Sequence, residues 1–415
     1  MADSVSPERK YGFASPHNFS PAVRAQMHLP DRVILNDLTL REGRGLDGVF
    51  LDSRDFELIA RSLAEIGVPM MQLHYVPEEL KHFAKLKLPI KAEVLISSPY
   101  QRPPYTTEAH REKIDLVTGL GMATDLCFGT SDHLLLGRQD IQGGNRSAQE
   151  LRKRELEAAV EAVQYGKHKG ATVHTNLQDF LRADFDFVLQ LCRELANAGI
   201  DLITLDDFAG PAVPAAYKYT IEQIKKQVPK VPLGIHVTND FGLGTAVVLG
   251  AFEGGAEVLD VGINNYGERT GHADLAEIAV ALEVFYGKTT GIKLDKLFWL
   301  SKLAAEAFRI PVPSFKPLVG EKAFADVGDV HYSYKNHPWI YRVIPENLVG
   351  NRRVIAFGDK SGPHGVKAKA AALGIKIEEG NVHKVVDGLL AKLREVRRPI
   401  TDDEFRALAH SAQNH

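Results

Sequence analysis

The chain is poor in the features that mark secreted, membrane or nucleic-acid-binding proteins. Only two of its 415 residues are cysteines, Cys127 and Cys192, so neither a disulfide framework nor a thiolate metal centre can be built. Both lie in apolar segments, DLCFGT and VLQLCREL, where a thiol acts as a small buried hydrophobe. Any metal must therefore be held by His, Asp, Glu or amide oxygens, which favours a hard or borderline divalent ion. No apolar run approaches the roughly 18 residues that span a bilayer. The N-terminal stretch carries charges and prolines in place of an apolar signal core, so the expectation is a cytoplasmic protein with no membrane partner. Fifty Lys and Arg against 53 Asp and Glu leave a net charge of -3 and no basic block, which excludes nucleic acid as an expected partner. A Gly-rich phosphate turn after the first β-branched run, needed for an open dinucleotide-binding sheet, is also missing.

What the chain does have is a beat. After a Pro-, Ser- and charge-rich leader over 1–30, eight short β-branched runs alternate with longer segments of helical period: RVILND, MMQLHY, AEVLIS, DLCFGT, TVHTNL, LITLDD, GIHVTND and VLDVGIN. The spacing predicts helices over 55–66, 148–170, 185–198, 215–227, 246–255 and 274–285. Eight strand–helix pairs over 31–290 predict an α/β fold, a closed (β/α)8 TIM barrel of parallel strands. The beat then stops. A Pro-punctuated linker over 291–350 leads to a small, mostly helical C-terminal subdomain over 351–415, whose Lys/Arg-rich final helix reads as a solvated face.

In such a barrel, residues at the C-terminal strand ends converge whatever their separation in sequence. Three segments there draw notice. DLTLREG places Arg41 beside Glu42, where an arginine can polarise a carbonyl while the carboxylate holds a metal; an Arg–Glu pair alone is more often a surface ion pair. HVTND puts His236 and Thr238 on one side of the seventh strand, though one inward histidine is more often a satisfied core residue. GINNYGERTGH, Gly262 to His272, is unusually polar for a connector, with an Asn/Gly turn network as the plain alternative.

Together these segments resemble the family of metal-dependent barrel lyases and Claisen-type synthases that includes homocitrate, isopropylmalate and citramalate synthases and the hydroxymethylglutaryl-CoA lyases. The family opens with Asp-x-Thr-Leu-Arg-acid-Gly, and Glu42 is the homocitrate synthase choice of acid. KPLVGEKAFADVGDVHYSYKNHPWIY and FGDKSGPHGVKAKAAALG resemble the tail of the synthases, which the lyases lack. The resemblance implies a catalytic His331 and Tyr341 acting with Arg41, a divalent ion (Mg, Mn, Zn or Fe) on Glu42, His236 and Asn264, and acetyl-CoA or another acyl-CoA as co-substrate. It also implies a homodimer in which the C-terminal segment covers the partner's barrel.

The chain departs from that family at several strand ends. The family's second strand-seven histidine is Thr238, and its second-strand glutamate is Gln72. The fifth strand carries His174, Asn176 and Gln178 in place of an arginine, a serine and a glutamate, while Gly45 and Phe208 replace a glutamine and a threonine. His74 and His272 are additional histidines, each able to replace the missing ligand. Asp207 retains the sixth-strand carboxylate, and Asp206 points the other way in a regular strand. Gln72, His74, His174, Gln178, Asp207 and Thr238 are thus expected to line the substrate site. These changes reduce negative charge and make one side of the pocket more apolar. The expected function is an acyl-CoA-dependent Claisen-type condensation onto a small-molecule 2-oxo acid or related carbonyl, with altered acceptor. The alternative is a carbon–carbon lyase, decarboxylase or hydrolase with a weakened or absent metal. A non-enzymatic scaffold would leave the retained His331 and Tyr341 without a purpose.

Overall fold

A computed structural model describes residues 12–102, 105–334 and 337–413; of the leader, residues 1–11 lie outside it. Contacts divide the chain into two units, one spanning Pro16–Pro311 and the other 312–413 with 12–15.

In the first unit eight strands are hydrogen-bonded in sequence order and close into a barrel. They are β1 Ile34–Asp37, β2 Met70–His74, β3 Lys91–Ser97, β4 Ala123–Gly129, β5 Val173–Gln178, β6 Leu202–Asp206, β7 Leu233–His236 and β8 Val258–Val261. Closure runs through parallel β1 and β8, from Ile34 opposite Val258 to Asp37 opposite Val261. A buried parallel sheet needs apolar residues on its outer face, where helices pack. Leu35, Leu73, Leu126, Leu177, Leu205, Ile235 and Leu259 supply it, all essentially inaccessible.

The surrounding helices form where the period predicted. Helix Ser53–Ile66 turns Phe56, Ile59, Ala60, Leu63 and Ile66 inward, an i, i+3, i+4 stripe; each large aliphatic buried there contributes about 1.5–3 kcal/mol. Asp52 caps it by accepting from the N–H groups of Arg54 and Asp55 at 2.7 and 2.9 Å. Gly67, at φ 92°, ends it in a conformation that glycine adopts freely. Helix Leu297–Phe308, expected in the linker, belongs to the barrel's unit.

The barrel interior is layered. Ile34, Met70, Leu202 and Val258 form an apolar cluster at the N-terminal ends. Above it runs a polar network, in which Asn36 donates to Glu93 at 2.7 Å and to Asp260 at 2.8 Å. Gln72 donates to Glu93 at 2.9 Å and to Asp125 at 2.7 Å. Burial raises the Asp125 and Asp260 carboxyls well above the usual carboxylate range, and Glu93 adds to this in both. The network occupies the centre of the fold directly under the strand ends.

The second unit pairs a two-residue strand, β9 Ala325–Asp326, with parallel β10 Val354–Ile355. Its core joins Val366 and Ala370, Val382, Val385, Val386 and Leu389, and Phe405 from three helices. Among the described residues no helix is long and apolar enough to cross a membrane.

Candidate active site and metal centre

The C-terminal strand ends open into a cavity of about 470 Å³ whose lining includes Arg41, Glu42, Asp206, His236 and His272. Glu42 stands in the short turn Glu42–Gly45 just after β1. Its carboxylate pairs with the Arg41 guanidinium. Burial alone would raise Glu42, but Arg41 and His272 hold it well below the usual carboxylate range. Arg41 is itself 7% exposed. Burial would lower its pKa, yet Glu42, Asp125, Asp206 and Asp260 together raise it. Both groups are therefore charged at neutral pH.

Gln178, Asp206 and His236 are register partners on β5, β6 and β7, so they share one level at the barrel's upper end. The Nδ1 of His236 lies 3.0 Å from the Asp260 carboxylate. Burial pushes the imidazole down to about 4, with Asp206 opposing and His272 and Arg41 reinforcing the fall, so the ring is neutral and able to ligate. His272 donates from Nδ1 to the Val237 carbonyl at 2.7 Å, which leaves Nε2 as the ring nitrogen available to a ligand. Among the described residues that buried Nε2 has no hydrogen-bond partner, and it lies 3.6 Å from Glu42. One ligand atom each of Glu42, His236 and His272 lies within 4.8 Å of the other two. A carboxylate and two imidazoles, each imidazole held from behind by an oxygen, is a donor set suited to a first-row divalent ion.

The local sequence explains how His272 gets there. Gly271 has φ 79°, and a Cβ on it would lie 1.6 Å from the Asn265 carbonyl oxygen. A Cβ on Gly267 would meet the His272 ring at 2.2 Å. The two glycines of GERTGH thus make the turn and clear the space for the imidazole. The polarity of this segment was the available signal.

Several expected residues are placed elsewhere. Asn264, expected as a ligand, turns away at φ 57°; it donates to the Ser301 carbonyl at 2.9 Å and accepts from the Ser301 hydroxyl at 2.5 Å. His272, not Asn264, lies with Glu42 and His236. Gln72 is fully buried in the polar network and does not reach the cavity. His174 pairs with Glu93 at 2.7 Å and lines a separate cavity near Met70 and Leu202, at the N-terminal ends of the strands. Asp207 also points away, accepting from Thr238 N–H and hydroxyl at 3.0 and 3.1 Å and from the Tyr217 hydroxyl. Asp206, expected to face outward, lines the cavity, and burial pushes its carboxyl up to about 6.

His74, Gln178 and Thr238 do line the cavity. Burial and then Arg41 lower His74 to about 4. Gln178 is held by Arg138, which donates to its Oε1, so the amide hydrogens are left for the cavity; Arg138 carried no signal in the sequence reading. His331 and Tyr341 lie in the second unit with ring centroids 4.2 Å apart. That segment is fixed by Asp326, which takes Arg342 and, at 2.8 Å, Arg353.

Comparisons with known proteins agree with this architecture. Residues 144–304 match the HMGL-like family model. The chain is 30% identical over 390 residues to a 2-isopropylmalate synthase of Methanocaldococcus jannaschii, covering 92% of this chain and 72% of that one. It is 30% identical to an (R)-citramalate synthase of the same organism, over 89% and 76% of the two chains. Against a homocitrate synthase of Saccharolobus islandicus the identity is 29%, over 88% and 76%. Among solved structures, the hydroxymethylglutaryl-CoA lyase of Pseudomonas aeruginosa shares the fold with a TM-score of 0.55 at 17% identity, over 68% of this chain and 94% of that one. The chain belongs to the HMGL-like family of isopropylmalate, citramalate and homocitrate synthases.

Proposed function

We propose that the protein condenses an acyl-CoA with a 2-oxo acid. The carrying observation is the convergence of Glu42, His236 and His272 beside Arg41 in the lining of the cavity. The α-carbon of the thioester gives up a proton and bonds to the keto carbon, the keto oxygen takes a proton and becomes a hydroxyl, and water cleaves the thioester to a carboxylate and free CoA thiol. A divalent ion held by Glu42, His236 and His272 would polarise the keto group. Arg41 stabilises the negative charge that develops on the acceptor oxygen. His331 and Tyr341 stay in the proposal as the pair that moves the donor's proton. Acetyl-CoA or a related thioester is the proposed donor, and a homodimer whose C-terminal segment covers the partner's barrel is the proposed assembly.

The lyase, decarboxylase or hydrolase alternative is motivated by Thr238, Gln72 and Gln178 at the strand ends. His272, as a second imidazole beside Glu42 and His236, favours the condensation reading over a metal site weakened at Thr238. A thiol-release assay across acyl-CoAs and 2-oxo acids with divalent ions added tests the proposal. Arg41→Ala is expected to lower turnover by about 100-fold or more while the protein stays folded. Silence of the wild-type protein across the panel, together with no bound metal, would overturn the reading.

A further inference from the structure

We propose that Arg102 and Lys113 form an anion subsite in the same cavity, which holds a second acidic group on the acceptor. The acceptor is then a 2-oxo acid carrying a distal carboxylate, phosphonate or phosphate. This inference rests on the condensation reading and deepens it.

The argument starts from charge pairing. Four cationic side chains line the cavity: Arg41, Arg102, Lys113 and Arg269. Arg41 is neutralised by Glu42. Arg269 is bound to Asp240 at 3.0 Å and also feels Glu268. Asp240 is thereby used, and of the lining carboxylates Glu42 pairs with Arg41, Asp206 acts on Arg41 and His236, and Glu268 acts on Arg269. Arg102 and Lys113 remain, and among the described residues neither has a carboxylate within ion-pair distance.

Lys113 comes from helix Thr107–Gly119 and Arg102 from the segment between β3 and that helix. Burial lowers the Lys113 ammonium from its usual value, and the Arg102 charge lowers it further, with no carboxylate opposing. Two cations that repel each other beside a partly buried cavity cost free energy until an anion arrives. The side chain of Lys113 is held against the Tyr75 ring, its Nζ 5.6 Å from the centroid, which keeps the ammonium from swinging freely into solvent.

Placement relative to the metal centre gives the subsite its meaning. His74 lines the same cavity as Arg41 and Arg102 and feels the charge of both, so one cavity presents both positive centres to a bound acceptor. An acceptor whose 2-oxo acid end sits at Arg41 places a second oxyanion at Arg102 and Lys113, which line the same cavity. The wall on β5 offers Asn176 and Gln178, neutral amides that hydrogen-bond but cannot neutralise a charge. The same oxyanion chemistry is present in the phosphates of the CoA donor, and the assay separates the two sources.

Full-length wild type, Arg102→Gln, Lys113→Gln and Lys113→Arg are assayed for thiol release with pyruvate, with oxaloacetate and 2-oxoglutarate, and with a phosphonate-bearing 2-oxo acid. Loss of a charge-assisted contact is expected to raise KM for distal-acid acceptors about tenfold or more in both Gln variants. In those variants kcat, KM for pyruvate and KM for the thioester stay within roughly twofold of wild type, and Lys113→Arg restores acceptor KM. A shift confined to the thioester assigns the anion to CoA and overturns the proposal, as does no shift at all. If wild type condenses no acceptor, the functional reading has failed and calorimetry with inorganic phosphate judges the subsite alone. Phosphate binding weakened about tenfold by Lys113→Gln upholds the subsite, and absence of binding overturns it.

Discussion

Individual side chains separate the two candidate ligand sets. Asn264 is engaged by Ser301, whereas His272 holds an unpartnered, buried Nε2 beside Glu42. His272→Ala is therefore expected to weaken divalent-ion binding by at least about 100-fold, more than loss of an outer-shell partner costs. Asn264→Ala should leave affinity nearly unchanged; calorimetric titration of both variants is the check. A second residue reports through pH. His110 is 2% exposed, neither ring nitrogen has a partner among the described residues, and burial, helped by Lys113, pushes its imidazole down from 6.5 to about 4. The unfolded chain takes up a proton below about pH 6.5 that the fold refuses until about pH 4, so this group's contribution to stability falls as pH falls through that window. Between pH 7 and pH 5 the loss amounts to about 2 kcal/mol. His110→Leu should lose that much less than wild type in urea unfolding at the two pH values.

Turns and strands decide where those side chains go. The link after β8 passes through Asn264 and Asn265 at φ 57° and 62° and Gly271 at φ 79°, and this route delivers His272 to the cavity while sending Asn264 toward helix Leu297–Phe308. Gly271→Ala places a methyl 1.6 Å from the Asn265 carbonyl oxygen. It is expected to cost about 1–3 kcal/mol in denaturant unfolding and to lose the metal with it. Gly242→Ala, also at positive φ but with open space around its Cβ position, should cost less and keep the metal. On β5 the alternation puts His174, Asn176 and Gln178 on one face, but their heights differ. His174 pairs with Leu202 at the bottom and Gln178 with Asp206 at the top, which sends the first into the lower cavity and the last into the upper one.

Across the whole molecule, the three candidate metal donors lie in the Pro16–Pro311 unit and the His331–Tyr341 pair lies in the other. The barrel has a closed sheet and its own buried core. A fragment of residues 16–311 is thus expected to fold, by circular dichroism, and to retain a divalent ion by elemental analysis. It should release no CoA thiol. A fragment with full turnover would remove His331 and Tyr341 from the proposed chemistry.

The eight β-branched runs and their intervening helices were legible because strand and helix periods are local. The helix expected over 55–66 is found as Ser53–Ile66, and that over 185–198 as Phe185–Asn197. Arg41, Glu42 and His236 were legible for the same reason: they sit at strand ends, and in a parallel barrel all strand ends meet. Which of two neighbouring aspartates faces the lumen was not. Asp206 is fixed inward by its pairing opposite His236, and Asp207 outward by Tyr217 and Thr238, contacts that join segments distant in the chain. Nor was the height of His174, or the choice of His272 over Asn264. Alternation along a strand is built into each residue's neighbours, whereas stagger around a closed barrel and the direction of a left-handed turn are settled only when separate strands hydrogen-bond and pack.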